Sequence, residues 1–312
     1  MTDDHDLGDG STDDDPGVDT KILAERRFLI SLAFRMLGTI AEAEDAVQET
    51  YVRWYRMSDE ERAAIQVPHY WLQRVVSRIC LDVLGSARAR RERYVGPWLP
   101  EPLPSSVFAE QDLDPADRVT LDDTVSSALL VVLESMTPAE RVVFVLHEVF
   151  AIPFDEIAAT VGRTPGACRQ LAHSARRRVQ QARARSATRL QHDRVVRAFA
   201  AAARTGNVEG LIAALDPDVV LRSDGGGVVT AARNPILGAD RVARYLAGLA
   251  KKYPFGDLLE QETHDGLGFA LWEEGRIMAL VTLDVAGADG LVTDVRIVRN
   301  PHKLSLWNAA TV

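Results

Sequence analysis

No stretch of the 312 residues approaches the ~18 consecutive apolar side chains that a membrane-spanning helix needs. Residues 1–20 likewise lack the apolar core of a secretory leader. Cysteine is scarce. Cys80 and Cys168 lie far apart and form no CxxC pair, so neither a disulfide framework nor a cysteine-based structural zinc site is implied. No metal or other cofactor is expected, and these absences together predict a reduced, cytoplasmic protein with no membrane partner. Lysine and arginine are missing altogether from residues 1–20, where eight aspartates stand among glycines and almost nothing apolar. Such a segment cannot bury enough surface to offset its ordering entropy, so a disordered acidic tail is expected there. The chain also lacks any internal repeat.

What is present is a globular composition with 46% hydrophobic and 26% charged residues, long enough for two or three domains. The net charge of −9 argues, taken as an average, against a nucleic-acid partner. The average misleads. Without the tail, the remaining residues sum to −1, and their charge is arranged in blocks. Residues 101–156 carry a net −10, residues 162–197 a net +9, and residues 74–93 a net +4. An arginine-rich run can be no more than a solvated helix face. Two separate basic segments, both helical in pattern, favour a phosphate backbone instead.

Residues 21–93 read as a helical unit. Phe28, Leu29, Leu32, Ala33, Met36 and Leu37 follow three-four spacing, and Gly38 is a helix stop. A second helix from about Ala41 places Val47, Thr50, Tyr51 and Trp54 on one face and Asp45, Gln48, Glu49 and Arg53 on the other. A third starts near Pro68 and turns Trp71, Leu72, Val75, Val76 and Ile79 inward. Five prolines then mark residues 94–116 as a linker, with Trp98 and Leu99 as apolar anchors within it.

Residues 117–184 are helical again. Thr137-Pro138 and Thr164-Pro165 each pair an N-cap with proline at the first helical position. A short helix ending at Gly162, a turn and an arginine-rich second helix match the helix-turn-helix plan. In the second helix Cys168, Ala172, Ala175 and Val179 form the inward stripe. This leaves Arg169, Gln170, His173, Ser174, Arg176 and Arg177, with Arg163 in the turn, on or beside the exposed face. Arg and Gln bond base edges bidentately, and the others suit phosphates. Residues 190–312 change character to an α+β pattern, with helices over Val195–Leu215 and Ala239–Leu249. Strands are expected at Val219–Leu221, Gly268–Trp272, Arg276–Leu283 and Leu291–Val298.

The ordered set of motifs resembles a known family. Glu42-Ala43-Glu44-Asp45-Ala46-Val47-Gln48-Glu49-Thr50-Tyr51 is similar to the helix with which extracytoplasmic-function (ECF) sigma factors grip the clamp of RNA polymerase. Tyr70-Trp71-Leu72-Gln73-Arg74-Val75-Val76 resembles their promoter-melting helix, and the segment from Leu133 through Arg178 resembles sigma region 4. The remaining chain resembles the SnoaL-like domain fused to one ECF group, the SigJ type. Trp98-Leu99-Pro100-Glu101-Pro102, Asp224-Gly225-Gly226-Gly227 and Asn300-Pro301-His302-Lys303-Leu304 carry that likeness. The family pattern has Asp where this chain has His302.

The resemblance implies two all-α sigma domains, the second a helix-turn-helix, followed by an α+β cone-shaped domain with a pocket. It makes Asp45, Gln48 and Glu49 contacts to core RNA polymerase. Trp71, Arg74 and Arg78 become candidates for the downstream promoter element, although Trp71 also fits core packing. Arg88, Arg90, Arg91 and Arg93 would track phosphates. It implies regulation in cis, through the linker residues Trp98, Leu99 and Pro100, the loop at Asp224–Gly227, and Asn300, Pro301, Lys303 and Leu304. The expected function is that of a non-enzymatic alternative sigma factor that binds core polymerase and promoter DNA. The alternative is a DNA-binding regulator whose third domain senses an unidentified small ligand or retains enzyme activity. Asp216, Asp224, His264, Asp265, Asp284 and Asp294 are the acid/base groups such chemistry would draw on.

Overall fold

The computed structural model describes residues 22–91, 96–105, 127–183, 187–252, 258–287 and 290–309. The expected acidic tail, linker residues 106–116, Arg93 and the side chains of Arg88, Arg90 and Arg91 lie outside the described residues.

Helix α1 (Arg26–Leu37) ends where the spacing predicts, because Gly38 takes the left-handed conformation at φ 84° and returns its N–H to the Phe34 carbonyl. Thr39 then caps α2 (Ile40–Tyr55), its hydroxyl accepting from the Glu42 N–H. The short α3 (Asp59–Ala63) leads into the long α4 (Pro68–Arg91). Leu29, Leu32, Ala33, Met36, Val47, Trp54, Leu72 and Val76 are buried between them, while Phe28 and Trp71 are half-buried at the rim.

The second helical unit comprises α5 (Ser127–Glu134), α6 (Pro138–Phe144), α7 (Phe154–Val161) and α8 (Pro165–Arg183). Thr137 and Glu140 form a reciprocal capping box at the start of α6. A π-helical turn at Val145–Val149, unannounced by the sequence pattern, extends α6 toward α7. Cys168, Ala172, Ala175 and Val179 are all buried, as the spacing requires. The two helical units are not separate in their packing. They share one apolar cluster, in which Leu29 and Leu72 belong with Val142 and Ile157. Arg141, only 3% exposed, spans the junction: it pairs with Glu134 at 2.5 Å and donates to the Leu133 and Met36 carbonyls at 3.0 and 2.8 Å.

The third unit opens with α9 (Arg189–Thr205) and α10 (Val208–Ala214). The single helix expected over residues 195–215 is therefore two. Gly206 is left-handed at φ 65° and closes the first, and Asn207 caps the second by accepting from Gly210 N–H at 3.0 Å. Six strands follow around α11 (Ala239–Lys252): β1 (Leu215–Asp224), β2 (Ile236–Leu237), β3 (Leu258–Thr263), β4 (Gly266–Glu273), β5 (Arg276–Val285) and β6 (Val292–Val298). They form one sheet in the order β2-β1-β6-β5-β4-β3, with β1 and β6 parallel and the other pairs antiparallel. β2 and β3 carry no alternating apolar pattern. They lie at the sheet edges, and β3 is held by ion pairs from α9, Arg197 to Glu260 and Arg189 to Glu262.

The sheet has two different faces. Val219, Leu221, Phe269, Leu283, Val295 and Ile297 meet α9 and α11 in an apolar core. Strand alternation puts Arg222, Asp224, Asp284, Asp294, Arg296 and Val298 on the opposite face. There a 3₁₀ turn (Pro301–Leu304), α12 (Ser305–Ala309) and the linker cover it, around Leu99, Leu280, Leu304 and Trp307.

Candidate functional site

The three short motifs of the linker and the third unit converge. Asp224, wholly buried at the end of β1, accepts the Leu99 N–H on Oδ2 at 3.0 Å and the Lys303 ammonium at 2.8 Å. Lys303 also donates to the Leu99 carbonyl, and its ammonium stands 4.1 Å from the centroid of the Trp98 ring. The Asp224 carbonyl accepts from both Arg299 and Asn300, and Oδ1 accepts from Gly226 N–H at 2.9 Å. Gly226 is left-handed at φ 66°, and a Cβ there would fall within 2.5 Å of the Asn300 side chain. Glycine thus lets two distant motifs touch. Asn300 caps the 3₁₀ turn through His302 N–H at 3.1 Å, whereas the His302 side chain points to solvent. The one residue that departs from the family pattern lies outside the buried contact. Pro100 and Leu304 are buried here, while Gly227 and Pro301 are exposed.

The same linker reaches the first unit. The Trp98 ring lies against Gly38, where a Cβ would come within 2.7 Å of it. Glu101 N–H donates to the Gly38 carbonyl at 2.9 Å, and its carboxylate accepts from Ile40 N–H, the first residue of α2, at 2.7 Å. Glu101 is 3% exposed, and burial pushes its carboxyl up to about 7 despite the helix N–H and nearby Lys303. Trp307 Nε1–H donates to the Pro102 carbonyl at 2.7 Å, and His264 meets Leu103. One extended segment therefore connects the Asp224–Lys303 pair to the N-terminus of α2. The sequence singled out the segment but not Glu101 as its second anchor. A lone acid between two prolines carries no signal of what it caps.

On α2, Asp45 and Gln48 are exposed beside Val47 and Tyr51, while Glu49 is half-buried and paired with Arg53 at 2.8 Å. On α4, Trp71 packs edge-on against Trp54 with centroids 5.3 Å apart. Arg74 is exposed in a groove walled by Tyr70 and Trp71 on one side and Asp155, Glu156 and Thr160 of α7 on the other. Arg78 donates to the Thr160 carbonyl at 3.1 Å. It is exposed like Arg74, and its bond ties α4 to the helix-turn-helix unit.

Helix α8 needs a similar sorting. Gln170, His173 and Arg177 lie on the side of α8 opposite its buried stripe, and Arg163 is exposed in the turn. Arg169 is exposed and lies over the Phe154 ring at 5.7 Å. Arg176 is exposed but locked in a two-pronged pair with Glu148 at 3.0 and 2.5 Å. Ser174 is half-buried and bonds Glu140 at 3.3 Å. It thereby joins the capping network of α6, beside the face that carries Gln170, His173 and Arg177.

The acid/base groups of the third unit are mostly tied up among themselves. Arg296, 2% exposed, holds Asp284 with two bonds of 2.7 Å, and Arg222 pairs with Asp294, whose carboxyl burial pushes upward. Both acids lie on the linker face of the sheet. A separate apolar cavity opens on the helix-covered face, and none of these groups lines it.

Family models for sigma-70 region 2 and sigma-70 region 4 match residues 22–91 and 126–179. A probable ECF RNA polymerase sigma factor SigI of Mycobacterium tuberculosis is 45% identical over 232 residues, covering 70% of this chain and 72% of the relative. The ECF RNA polymerase sigma factor SigJ of the same organism is 40% identical over 232 residues, covering 74% and 72%. The crystal structure of Mycobacterium tuberculosis SigJ superposes with a TM-score of 0.69 at 34% identity, covering 92% of this chain and 98% of that one. Among the described residues, no helix is long and apolar enough to cross a membrane.

Proposed function

The chain belongs to the ECF RNA polymerase sigma factors, and from that premise we propose that its third domain holds it closed by clamping the linker against region 2. In this reading Asp45, Gln48 and Glu49 meet core polymerase, and Trp71 and Arg74 meet the downstream promoter element. Arg163, Arg169, Gln170, His173 and Arg177 meet the upstream one. Arg78 joins the downstream set only after it releases Thr160. Arg176 serves as a peripheral phosphate contact, because Glu148 already neutralises it.

One observation carries the proposal. Residues 98–101 bond at one end to Asp224 and Lys303, and at the other to Gly38 and Ile40, at the start of the helix expected to grip polymerase. The groove between Trp71 and Glu156 adds support, since an acidic wall of α7 faces the side chains that would receive unpaired bases. A duplex would have to displace that wall. Opening is a population shift, and polymerase drives it by binding the open form more tightly.

Run-off transcription with purified core polymerase and the full chain tests the function. Promoter-dependent product is expected, and its absence with a functional core overturns the sigma reading. A chain ending at Arg299 loses Lys303 and should give a different output at equal protein concentration. Identical output overturns the regulatory part alone.

A further inference from the structure

The turn between α6 and α7 supplies none of the residues assigned to DNA above, yet its backbone is unusual twice over. It passes through the π-helical turn at Val145–Val149 and then through Ala151, left-handed at φ 53° without being glycine. Such strain persists only where surrounding contacts hold it, and it gathers at functional positions. Here the Ile152 N–H donates to the Leu146 carbonyl at 3.0 Å. The His147 ring bonds the Ile152 carbonyl through Nδ1, also at 3.0 Å, and since a carbonyl only accepts, Nδ1 is the donor. The turn thereby sets the His147 ring against Phe154, the first residue of α7, with centroids 3.9 Å apart and planes 32° apart. Phe154 is half-buried, and the exposed Arg169 of α8 holds its guanidinium 5.7 Å from the centroid of that same ring.

Two arginines of α8 are thus held by this turn, in opposite ways. Arg176 spends both prongs of its fork on Glu148. An aromatic ring instead attracts the face of a guanidinium, whose N–H donors lie in its plane and stay available. The major-groove edge of guanine presents two acceptors, O6 and N7, that match such a fork. Arg163 and Arg177 have no ring or ion-pair partner among the described residues, and an arginine without one reaches phosphates as readily as bases. Arg169 alone in this set is both directed and open. Fixing a long side chain before DNA arrives also removes part of the ordering cost of binding.

We propose that Phe154, backed by His147, is a specificity-determining positioning residue, which aims Arg169 so that its fork reads a guanine of the upstream element. This role rests on α8 being the upstream reader. It adds the base that is read and the residue that aims the reader.

Selection by the holoenzyme, core polymerase with the full chain, from randomised duplexes long enough for both promoter elements tests this role. Sequencing of the bound duplexes should show one upstream position held as guanine by about 5- to 150-fold over other bases. Arg169→Ala should remove that preference. Phe154→Leu keeps an apolar side chain but no ring, and should reduce the preference by about two- to fivefold while the other positions keep theirs. Phe154→Tyr, which restores a ring, should restore the preference. A guanine preference undiminished in Phe154→Leu overturns the role of Phe154, and so does equal relaxation at every position, the mark of a merely structural residue. A preference that survives Arg169→Ala overturns the assignment of the guanine to Arg169. Recovery of no preferred sequence by the unmutated holoenzyme overturns the promoter reading itself, and with it this role, so the two failures are distinct.

Discussion

Between the two helical units the contact is largely apolar, one continuous core with Arg141 and Arg78 reaching across to main-chain carbonyls. The linker meets the third domain differently, through a carboxylate and an ammonium that are both buried and bonded to one segment of backbone. Apolar contacts tolerate substitution if volume is kept, because they have no direction. A buried ion pair tolerates little, because losing either partner leaves a charge where water cannot reach it. The first interface is therefore suited to opening and reclosing. The second is suited to fixing one register of the linker.

The largest effect should come from breaking the ion pair. Asp224→Ala leaves the Lys303 ammonium buried without its carboxylate, at a cost of about 3–5 kcal/mol. Denaturant unfolding followed at Trp98 should show this. A change within ~0.5 kcal/mol, typical of a surface substitution, would contradict the contrast between the interfaces. Arg141→Met should cost less, about 2–3 kcal/mol: it removes charge-assisted bonds to two carbonyls and the pair with Glu134, whose carboxylate is only partly buried and stays within reach of water. Hydrogen exchange should then rise in residues 68–86 while the sheet keeps its protection. Equal loss in both would mean that the two interfaces are one cooperative unit.

Two smaller effects sharpen the picture. Arg169→Ala and Arg177→Ala should each weaken upstream-element binding by about 1–3 kcal/mol if they read bases. If they hold phosphates, each should instead reduce the salt slope by about 1. Arg176→Ala should do less than either, and filter binding across a salt series would show the reverse ranking if its pair with Glu148 opens on DNA. The smallest effect belongs to Glu101. Its carboxyl is raised to about 7 in the docked linker, which therefore holds a proton that the released linker gives up between about pH 4.5 and 7. Docking should weaken as pH rises through that window and level off above it. Glu101→Gln should flatten the profile, and a pH dependence that persists in that variant would place the titration elsewhere.

Much of this was legible from spacing alone. Gly38 and Gly162 stop their helices in the left-handed conformation, Thr137 and Thr164 cap theirs, and the stripe from Cys168 to Val179 is buried. These features depend on a few neighbouring residues, so local sequence carries them. β3 was not legible, because an edge strand held by Arg197 and Arg189 needs no apolar alternation. Nor was the fate of Ser174, Arg176 and Arg78. Each has the right residue type for DNA, and each is claimed by a partner 28 to 82 residues away.

By itself the sequence determined most helix ends and the inward stripe of α8, since periodicity and capping act within a turn or two of chain. Only tertiary structure decided that Asp224, Lys303 and Trp98 meet, and that Glu101 ties them to the start of α2. Contacts over 79 and 125 residues are set by which buried charges find partners, and no local pattern records that choice.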